Sequence, residues 1–363
     1  QMCIRDSSCS SVYLGILYRE KSNPSTDCPN WSYCMSTLVT GVAGFIGMHT
    51  AKSLLSKGHH VVGIDNLNHY YDPRLKKARL TQLESFDEFS FFKTDFATQS
   101  FVEEFTETYP HIDQVIHLGA QAGVRNSIDK PQDYMKSNLA GQLNILEYCR
   151  NLIEKNNNFK KLIYASSSSV YGANAKIPFS TNDRSDHPVS FYGATKKACE
   201  VMTHSYASLY KIPSIGLRFF TVYGPWGRPD MSPYLFTKSI LNGEEINVFN
   251  NGNMRRDFTY IDDIVDGVIA ALDKNLSDCA NIAPHKIFNL GNNKPIKLMD
   301  YIRIIEKACS KRANLKLLPM QPGDVLETFA DIKHSTDELG FSPKTNLDEG
   351  IPRFVEWFRE YHK

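Results

Sequence analysis

A short glycine-rich run between an apolar stretch and a helical pattern constrains the fold of this chain more than any other feature. The run is GVAGFIG, Gly41–Gly47; it follows the strand-like stretch Thr37–Thr40 and opens a predicted helix that ends near Gly58. Glycines let a backbone approach a pyrophosphate closely, and a helix N-terminus offers unpaired N–H groups and a positive partial charge. The spacing is GxxGxxG rather than the GxGxxG of dehydrogenase fingerprints, and the alternative is a tight turn without a ligand. We expect a dinucleotide to contact Gly41, Gly44, Phe45, Ile46 and Gly47.

The glycine run belongs to a longer alternation of short β-rich runs with segments of helical period, which is typical of a parallel sheet covered by helices on both faces. The predicted strands are Thr37–Thr40, His60–Asp65, Ser90–Lys93, Gln114–Leu118, Lys161–Ser166 and Ser214–Arg218. Further on we predict strands near Asn247 and at Ile287–Leu290, and helices at Pro233–Asn242, Leu298–Ser310 and Leu347–Tyr361. The predicted fold class is therefore α/β: a doubly wound, Rossmann-like parallel sheet with a smaller α/β substrate-binding lobe.

Composition excludes several classes of function. Hydrophobic residues make up 42% of the 363 residues, which suffices for a large core. Lys and Arg number 41 against 40 Asp and Glu, so no net field attracts nucleic acid or an anionic membrane. The apolar stretch at 12–18 is far shorter than the roughly 20 residues of a membrane span. The eight cysteines lack metal-ligand spacing, so we expect reduced thiols, no metal and a cytoplasmic protein.

Acidic residues after the second and third predicted strands indicate which dinucleotide binds. Asp65 ends a strand where a carboxylate accepts hydrogen bonds from an adenosine ribose and repels a 2′-phosphate, so NAD is favoured over NADP. Asn66 beside it is expected to contribute. Asp95, with Phe96, is a second candidate for the adenine side, although a loop or capping aspartate is nearly as good an interpretation.

The chain divides on this basis into segments with different expected roles. Residues 1–34 lack periodicity and are predicted to be a disordered or non-native extension. Prolines and glycines interrupt the alternation at 223–233. We predict an NAD-binding part at 35–222, to which 254–286 returns, and a mainly substrate-binding lobe at 223–253 and 287–363.

Tyr192 and Lys196 form a YxxxK pair, whose members share one face of a helix. A phenol with an ordinary pKa of about 10 needs a positive charge beside it to act as a base near neutrality, and Lys196 supplies one. Tyr234 and Lys238 match the same pattern, so context must decide. Only the first pair follows a strand that ends in serines, where Ser167 is placed to hold a substrate hydroxyl.

Several strings together resemble the extended short-chain dehydrogenase/reductase family, in the branch that acts on nucleotide sugars. They are TGVAGFIG, SSSSVYG, the YxxxK pair and RDFTYIDD, and the resemblance runs from Met35 to the C-terminus. Four further strings are most similar to family members that epimerise UDP-linked hexuronates at C4: DNLNHYYDPRLKKARL, AQAGVRNS, RFFTVYGPWGRPDM and MQPGDV. The chain departs from the family pattern at His69, Gly119 and Gln321.

The resemblance implies an enzyme that retains NAD, oxidises C4 to a ketone and reduces it from the other face. It implies a homodimer, and it places Asn138, Tyr164 and the strand-end segment 117–121, with Leu118, Gly119 and Ala120, beside the cofactor. It further implies that Arg256 and Asp324 hold the nucleotide diphosphate and uridine. For Arg256 the alternative is a salt bridge with Asp257 or Asp262.

A hexuronate carboxylate needs a cationic partner. We expect Arg228 with Thr221 to supply it, and Arg125 is the second candidate. Ser168 and Ser169 stand where related dehydratases and decarboxylases carry acids, which argues against those reactions; Ser168 is predicted to contact substrate. The alternatives are another nucleotide-sugar epimerase or dehydratase, and a non-catalytic protein that binds NAD or a nucleotide sugar.

Overall fold

A computed structural model describes residues 35–155, 158–173, 176–279, 282–321 and 325–363. The predicted N-terminal extension, residues 1–34, lies outside the described residues, as does Asp324. The fold below is that of the unit from Met35 to Lys363. In its described ranges, no helix combines the length and apolar character that crossing a membrane requires.

Strands and helices alternate along the described chain. The strands are β1 (Ser36–Thr40), β2 (His60–Asp65), β3 (Phe89–Lys93), β4 (Gln114–His117), β5 (Lys161–Ser167), β6 (Ser214–Phe219), β7 (Thr221–Tyr223), β8 (Glu245–Val248), β9 (Arg255–Arg256), β10 (Phe258–Tyr260), β11 (His285–Leu290), β12 (Ile296–Lys297) and β13 (Asn314–Leu317). The helices are α1 (Phe45–Ser56), α2 (Pro73–Thr81), α3 (Phe101–Thr108), α4 (Asn126–Asp129), α5 (Pro131–Tyr134), α6 (Gly141–Lys155), α7 (Phe191–Tyr210), α8 (Ser232–Asn242), α9 (Ile261–Asp273), α10 (Leu298–Cys309), α11 (Lys333–Leu339) and α12 (Leu347–Tyr361).

Seven strands form one parallel sheet in the order β11-β6-β5-β4-β1-β2-β3. From β1 the chain moves outward through β2 and β3, then crosses to β4 on the other side. The order therefore reverses between β1 and β4, where Thr40 is in register with His117. Ligands of such sheets bind beyond the carboxyl ends of the strands at this point. The predicted doubly wound, Rossmann-like fold is confirmed.

Apolar residues cover both faces of the sheet, because successive side chains of a strand point to opposite faces. Leu38 and Val39 of β1 accordingly belong to two different cores. Leu38 shares its core with Leu152 of α6, and Val39 shares the other with Met48 of α1 and Ile264 of α9. Full burial of one such side chain contributes about 1.5–3 kcal/mol. This two-sided core holds the strand ends in fixed register.

The strand β11 lies at one edge of the main sheet, parallel to β6, with His285 opposite Ser214. Residues 287–363 are predicted to lie mainly in the smaller lobe, but 287–290 belong to the main sheet. A short apolar run carries no local sign of which strand it will pair with, which explains the difference. The division of the chain into two lobes stays a prediction.

Capping residues set the starts of two helices that matter for the site. The Asp72 side chain accepts a 2.9 Å hydrogen bond from the Arg74 N–H, with Pro73 in the first turn of α2. Ser190 accepts a 3.0 Å hydrogen bond from the Gly193 N–H and so begins α7. These caps fix where each helix leaves its loop, and α7 carries the predicted catalytic pair.

Candidate active site

The glycine run forms a tight turn between β1 and α1. Gly41 has φ +67°, in the left-handed region that favours glycine, and its N–H donates to the Ile64 carbonyl at 2.8 Å. A Cβ on Gly47 would lie 2.2 Å from the Gly41 carbonyl oxygen, so the first turn of α1 packs directly on the loop backbone. The N–H groups of Phe45 and Ile46 then lie at the positive end of α1.

The backbone at Gly119 lies against this turn. A Cβ on Gly41 would be 2.7 Å from the Gly119 Cα, and a Cβ on Gly119 would be 2.5 Å from Cε1 of the Phe96 ring. The Gly119 N–H donates to Thr40 Oγ1 at 3.0 Å. The structure thus brings Phe96 and the segment 118–120 to the glycine turn. A Cβ at position 119 would therefore meet the Phe96 ring unless that ring moved.

Asp65 ends β2 and is buried, with 7% of its surface exposed. Its carboxylate accepts a hydrogen bond from the Leu67 N–H at 2.8 Å and lies 3.9 Å from Lys76 Nζ. Burial raises the pKa of Asp65, and the Lys76 charge opposes that shift. Asn66 follows, and its Oδ1 accepts a 3.1 Å hydrogen bond from the Asn68 N–H.

Asp95 is held in its loop by two contacts. Oδ1 accepts a hydrogen bond from the Ala97 N–H at 3.0 Å, and Oδ2 lies 3.0 Å from Lys136 Nζ. These contacts fit the alternative interpretation, in which Asp95 stabilises its own loop. A role of Asp95 toward adenine stays a prediction.

The predicted catalytic pair lies in the first turns of α7. Lys196 is buried, and its ammonium donates a 2.9 Å hydrogen bond to the Ala165 carbonyl of β5. The Tyr192 N–H donates to Ser127 Oγ at 3.2 Å, and the Tyr192 ring meets the Tyr134 ring edge-on at 6.0 Å between centroids. The start of α7 is therefore fixed to the end of β5 and to the short helices α4 and α5.

Ser167 is the last residue of β5, and its hydroxyl oxygen accepts a 3.1 Å hydrogen bond from the Ser169 N–H. Ser168 begins the 3₁₀ turn Ser168–Tyr171. A Cβ on Gly193, next to Tyr192, would lie only 2.5 Å from the Ser169 carbonyl oxygen. The serine run and the tyrosine helix thus pack backbone to backbone.

The other YxxxK pair has a different environment. Tyr234 lies on α8, and its hydroxyl is 2.6 Å from Nε2 of His362, next to α12. Its ring packs edge-on against Phe358 at 4.9 Å. The pair Tyr234 and Lys238 therefore belongs to the packing of the C-terminal helices, as context indicated.

Asn138 lies in a π-helical segment, Met135–Ala140, a conformation that is rare and frequent at functional sites. Its side chain exchanges two hydrogen bonds with the Gln121 backbone, at 2.8 and 3.1 Å. Nδ2 also donates to Thr195 Oγ1 at 3.0 Å. Asn138 therefore joins the segment 117–121 to Thr195 of α7, which lies between Tyr192 and Lys196 in the sequence.

His117, at the end of β4, is fully enclosed. Its Nδ1 is 2.7 Å from Thr40 Oγ1, and burial followed by the Lys196 charge lowers the pKa of His117 to about 3. The imidazole is neutral at pH 7, so it adds no positive charge at this end of the sheet. Tyr164, which the resemblance placed beside the cofactor, is directed elsewhere: its hydroxyl is 2.9 Å from His285 Nε2 on the edge strand.

Arg228 lies in the loop after β7 and pairs with Asp230 through two contacts, at 3.0 and 2.5 Å. Burial alone would lower the pKa of Arg228, but Asp230, then Tyr70 and Tyr192, raise it. The guanidinium lies over the Tyr70 ring, 6.0 Å from its centroid. Thr221 begins β7, and its N–H donates to the Asp257 carbonyl at 3.3 Å.

The two remaining arginine candidates have other neighbours. The Arg125 guanidinium stacks on the Phe249 ring at 5.1 Å. Arg256 donates to the carbonyls of Arg255 and Leu326, at 2.9 and 3.1 Å. Asp257, its suggested salt-bridge partner, is occupied by backbone N–H groups, from Asn292 at 2.7 Å and from two others at 3.0 Å.

Sequence reasoning missed Arg79, which is fully buried on α2. Its guanidinium donates to the Trp226 carbonyl at 2.6 Å, to the Gly227 carbonyl at 3.2 Å and to the Ala43 carbonyl at 3.1 Å. It therefore ties the glycine turn to the Arg228 loop. The string KKARL gave no signal, because these partners are distant in sequence.

The site fits a dinucleotide on its own geometry. The turn is so close-packed that a Cβ at Gly41 or Gly47 would collide with backbone, while a helix N-terminus and a buried carboxylate flank it. The sequence matches the NAD dependent epimerase/dehydratase family over residues 37–291. The chain belongs to this family. The short-chain dehydrogenase/reductase resemblance is thereby confirmed.

Members of the family with known names resemble the chain over most of its length. A probable UDP-glucuronate 4-epimerase of Rhizobium meliloti is 42% identical, over 91% of this chain and 98% of the relative. A crystal structure of the Bacillus cereus UDP-glucuronic acid 4-epimerase with UDP-glucuronic acid and NAD is 34% identical, with a TM-score of 0.82, over 90% of this chain and 100% of that one. The UDP-glucose 4-epimerase of Thermotoga maritima is 29% identical, with a TM-score of 0.79, over 91% and 100%.

Proposed function

We propose that this epimerase/dehydratase inverts C4 of UDP-glucuronate, giving UDP-galacturonate, with NAD as cofactor. The observation that carries the proposal is the position of Arg228, a guanidinium in the loop beside the YxxxK tyrosine. The Tyr70 ring beneath it adjoins Gly123, whose carbonyl accepts a hydrogen bond from Tyr134, and the Tyr134 ring packs against Tyr192. Guanidinium is the side-chain group that binds a carboxylate through two parallel hydrogen bonds, and a neutral hexose offers it no such partner.

The proton steps belong to three residues. Tyr192, as phenolate, takes the proton of the sugar 4-hydroxyl and later returns it, while Ser167 hydrogen-bonds the same oxygen. Lys196 stabilises the phenolate and is itself held by the Ala165 carbonyl at 2.9 Å. Bound NAD supplies the oxidation and reduction at C4 by way of a 4-keto sugar.

Arg256 and Asp324 anchor the nucleotide while the hexose turns its other face toward the cofactor. A 4-keto hexuronate is a β-keto acid and loses CO₂ when the carboxylate bond aligns with the carbonyl π system. Arg228 and Thr221, with Ser168, hold the carboxylate out of that alignment in both poses. Arg125 is the second candidate for this role.

The cofactor is held by the glycine turn, the end of β2 and the segment after β4. The residues proposed are Gly41, Gly44, Phe45, Ile46, Gly47, Asp65, Asn66, Asp95, Phe96, Leu118, Gly119, Ala120 and Asn138, with Tyr192 and Lys196. In this proposal 35–222 with 254–286 is the NAD-binding part, and 223–253 with 291–363 forms most of the substrate lobe.

We further propose a homodimer formed through α6 and α7. These helices expose Leu143, Val201 and Leu209 at 41%, 59% and 67%, and apolar exposure of this extent on adjoining helices supports burial against a second copy. Light scattering of the purified protein tests the dimer.

The thiols of Cys149, Cys199, Cys279 and Cys309 are free, which supports a reducing, cytoplasmic setting.

Incubation of the purified protein with UDP-glucuronate, followed by chromatography of the uridine products, tests the activity. We expect UDP-galacturonate to accumulate to equilibrium, without added NAD and without CO₂ release. Tyr192→Phe serves as the inactive control. Conversion only of a neutral nucleotide sugar would favour the alternative epimerase, and retention of NAD with no turnover of any nucleotide sugar would favour a binding protein.

A further inference from the structure

Arg228, Asp230 and Tyr70 form one cluster that joins two loops beside the site. Asp230 Oδ1 is 3.0 Å from Arg228 Nε, and Oδ2 is 2.5 Å from Arg228 Nη2. The Tyr70 hydroxyl donates to the same Oδ2 at 3.0 Å, and the guanidinium lies 6.0 Å from the Tyr70 ring centroid. Tyr70 belongs to the loop after β2, and the other two belong to the loop after β7.

The cluster borders the catalytic tyrosine. A Cβ on Gly123 would lie 2.6 Å from the Tyr70 hydroxyl, so this hydroxyl touches the loop after β4. The Tyr134 hydroxyl donates to the Gly123 carbonyl at 2.7 Å, and the Tyr134 ring meets the Tyr192 ring. A substrate carboxylate that reaches Arg228 therefore also reaches Asp230.

The carboxylate of Asp230 is charged at neutral pH. Burial alone would raise the pKa of Asp230, but the charge and hydrogen bonds of Arg228, with the hydrogen bond from Tyr70, lower it. The side chains of Arg228 and Asp230 are 24% and 31% exposed, so the pair is accessible from solvent. One edge of the guanidinium, the Nε–Nη2 edge, is thus already engaged by a carboxylate of the protein itself.

We propose that Asp230 is a specificity-determining residue that competes with the substrate carboxylate for Arg228; this inference rests on the proposed function. A hexuronate displaces Asp230 from the guanidinium, and Asp230 keeps its hydrogen bond from Tyr70. With a neutral hexose, Asp230 stays paired with Arg228. The sugar then covers an ion pair and not an unpaired guanidinium, whose burial would cost free energy.

The competition has opposite consequences for the two sugars. Removing the charge of Asp230 removes the competitor of a hexuronate, so the hexuronate binds more tightly. The same change leaves the charge of Arg228 unpaired when a neutral hexose covers it. The affinity for that sugar therefore stays the same or falls. A residue that merely positioned Arg228 would instead weaken hexuronate binding when it was changed.

Isothermal titration of Asp230→Asn in a Tyr192→Phe background, with UDP-glucuronate and with UDP-glucose, tests the proposal. We expect the Kd of UDP-glucuronate to fall about three- to fivefold, the range of a partly exposed ion pair, and that of UDP-glucose to stay or rise. Asp300→Asn is the matched control, because Asp300 forms a similar short-range pair with Arg303, at 2.6 Å, and lies on the surface. It should change neither Kd.

A weaker UDP-glucuronate complex of Asp230→Asn, or equal shifts for both sugars, would overturn the proposal. Tyr70→Phe gives an independent result, because it removes the hydroxyl that donates to Asp230 after a hexuronate has displaced it. We expect this change to weaken the binding of UDP-glucuronate and to leave the Kd of UDP-glucose unchanged. Equal effects of Tyr70→Phe on both sugars would also contradict the proposal. Failure of the proposed function is distinguishable, since the parent protein would then not convert UDP-glucuronate at all.

Discussion

The Lys196 ammonium of α7 donates a 2.9 Å hydrogen bond to the Ala165 carbonyl of β5, two residues before Ser167. Together with the hydrogen bond from the Ser166 hydroxyl to Glu200, this contact holds the helix that carries Tyr192 against the strand that carries the serine. Buried ammonium groups need such partners, because an unpaired charge in an apolar interior is expensive. The lysine therefore has a positioning role in addition to the effect on the phenol that is proposed for it.

Tyr192→Phe should abolish turnover while NAD stays bound, because the change removes the hydroxyl that moves the proton and nothing else. The expected loss of kcat is roughly 100- to 10,000-fold. Tyr234→Phe is the matched control: it belongs to the same YxxxK pattern, but its hydroxyl contacts His362. Steady-state rates of both variants with UDP-glucuronate check this, and equal losses would contradict the assignment.

Gly47→Ala should deplete the purified protein of NAD. The new Cβ would lie 2.2 Å from the Gly41 carbonyl oxygen, so the turn must open. Overpacking of this kind costs about 1–3 kcal/mol, and here the cost falls on the cofactor loop. NAD released by denaturation is measured against Lys52→Ala, an exposed position of the same helix. A full NAD content in Gly47→Ala would place the cofactor elsewhere.

Asp65→Asn should weaken NAD retention and reduce the preference for NAD over NADP. A neutral amide accepts a weaker hydrogen bond from a ribose and no longer repels a 2′-phosphate. Hydrogen bonds to charged groups are worth about 1.5–3 kcal/mol, so the loss should be tenfold or more in Kd. Cofactor titration of the stripped protein measures it, with the exposed Asp87→Asn as control. NADP recovered from the unaltered protein would refute the role of Asp65.

Glu200→Gln should destabilise the fold strongly at pH 7 and much less in acid. Glu200 and Arg218 are both buried and paired at 2.7 and 2.8 Å, and breaking such a pair costs about 3–5 kcal/mol. Burial alone would raise the pKa of Glu200, but Arg218 and Ser166 lower it. A carboxyl whose pKa is lower in the folded than in the unfolded chain stabilises above about pH 4.3 and loses that effect as the pH falls further.

Urea unfolding at pH 7 and at pH 3 therefore checks the pair. The stability gap between the unaltered protein and Glu200→Gln should narrow at the lower pH. Glu349→Gln, which breaks the exposed pair with Arg353, should cost at most about 1 kcal/mol at pH 7. A gap for Glu200→Gln that is the same at both values of pH would contradict the account.

The sequence predicted local features well. The strand His60–Asp65 and the helix Leu347–Tyr361 have the predicted bounds, and the other predicted strands of the main sheet differ by one or two residues at an end. Such segments carry their own periodicity. The glycine turn was also predictable, because its constraint lies within seven consecutive residues.

Contacts between distant segments were not predictable. Arg79 donates hydrogen bonds to the carbonyls of Trp226 and Gly227, which lie 147 and 148 residues further along the chain. The pair of Tyr70 with Asp230 spans 160 residues. Nothing in the local pattern around any of these residues indicates its partner. The π-helical segment around Asn138 was missed for a related reason, since it depends on contacts with Gln121 and Thr195.

Proton NMR of the purified protein with UDP-glucuronate and, in parallel, with UDP-glucose tests the central claim most directly. The account predicts that the anomeric signal of the galacturonate epimer appears in the first sample and that the second changes far more slowly. Rapid conversion of UDP-glucose with an unchanged UDP-glucuronate spectrum would contradict the assignment of Arg228 to a hexuronate carboxylate.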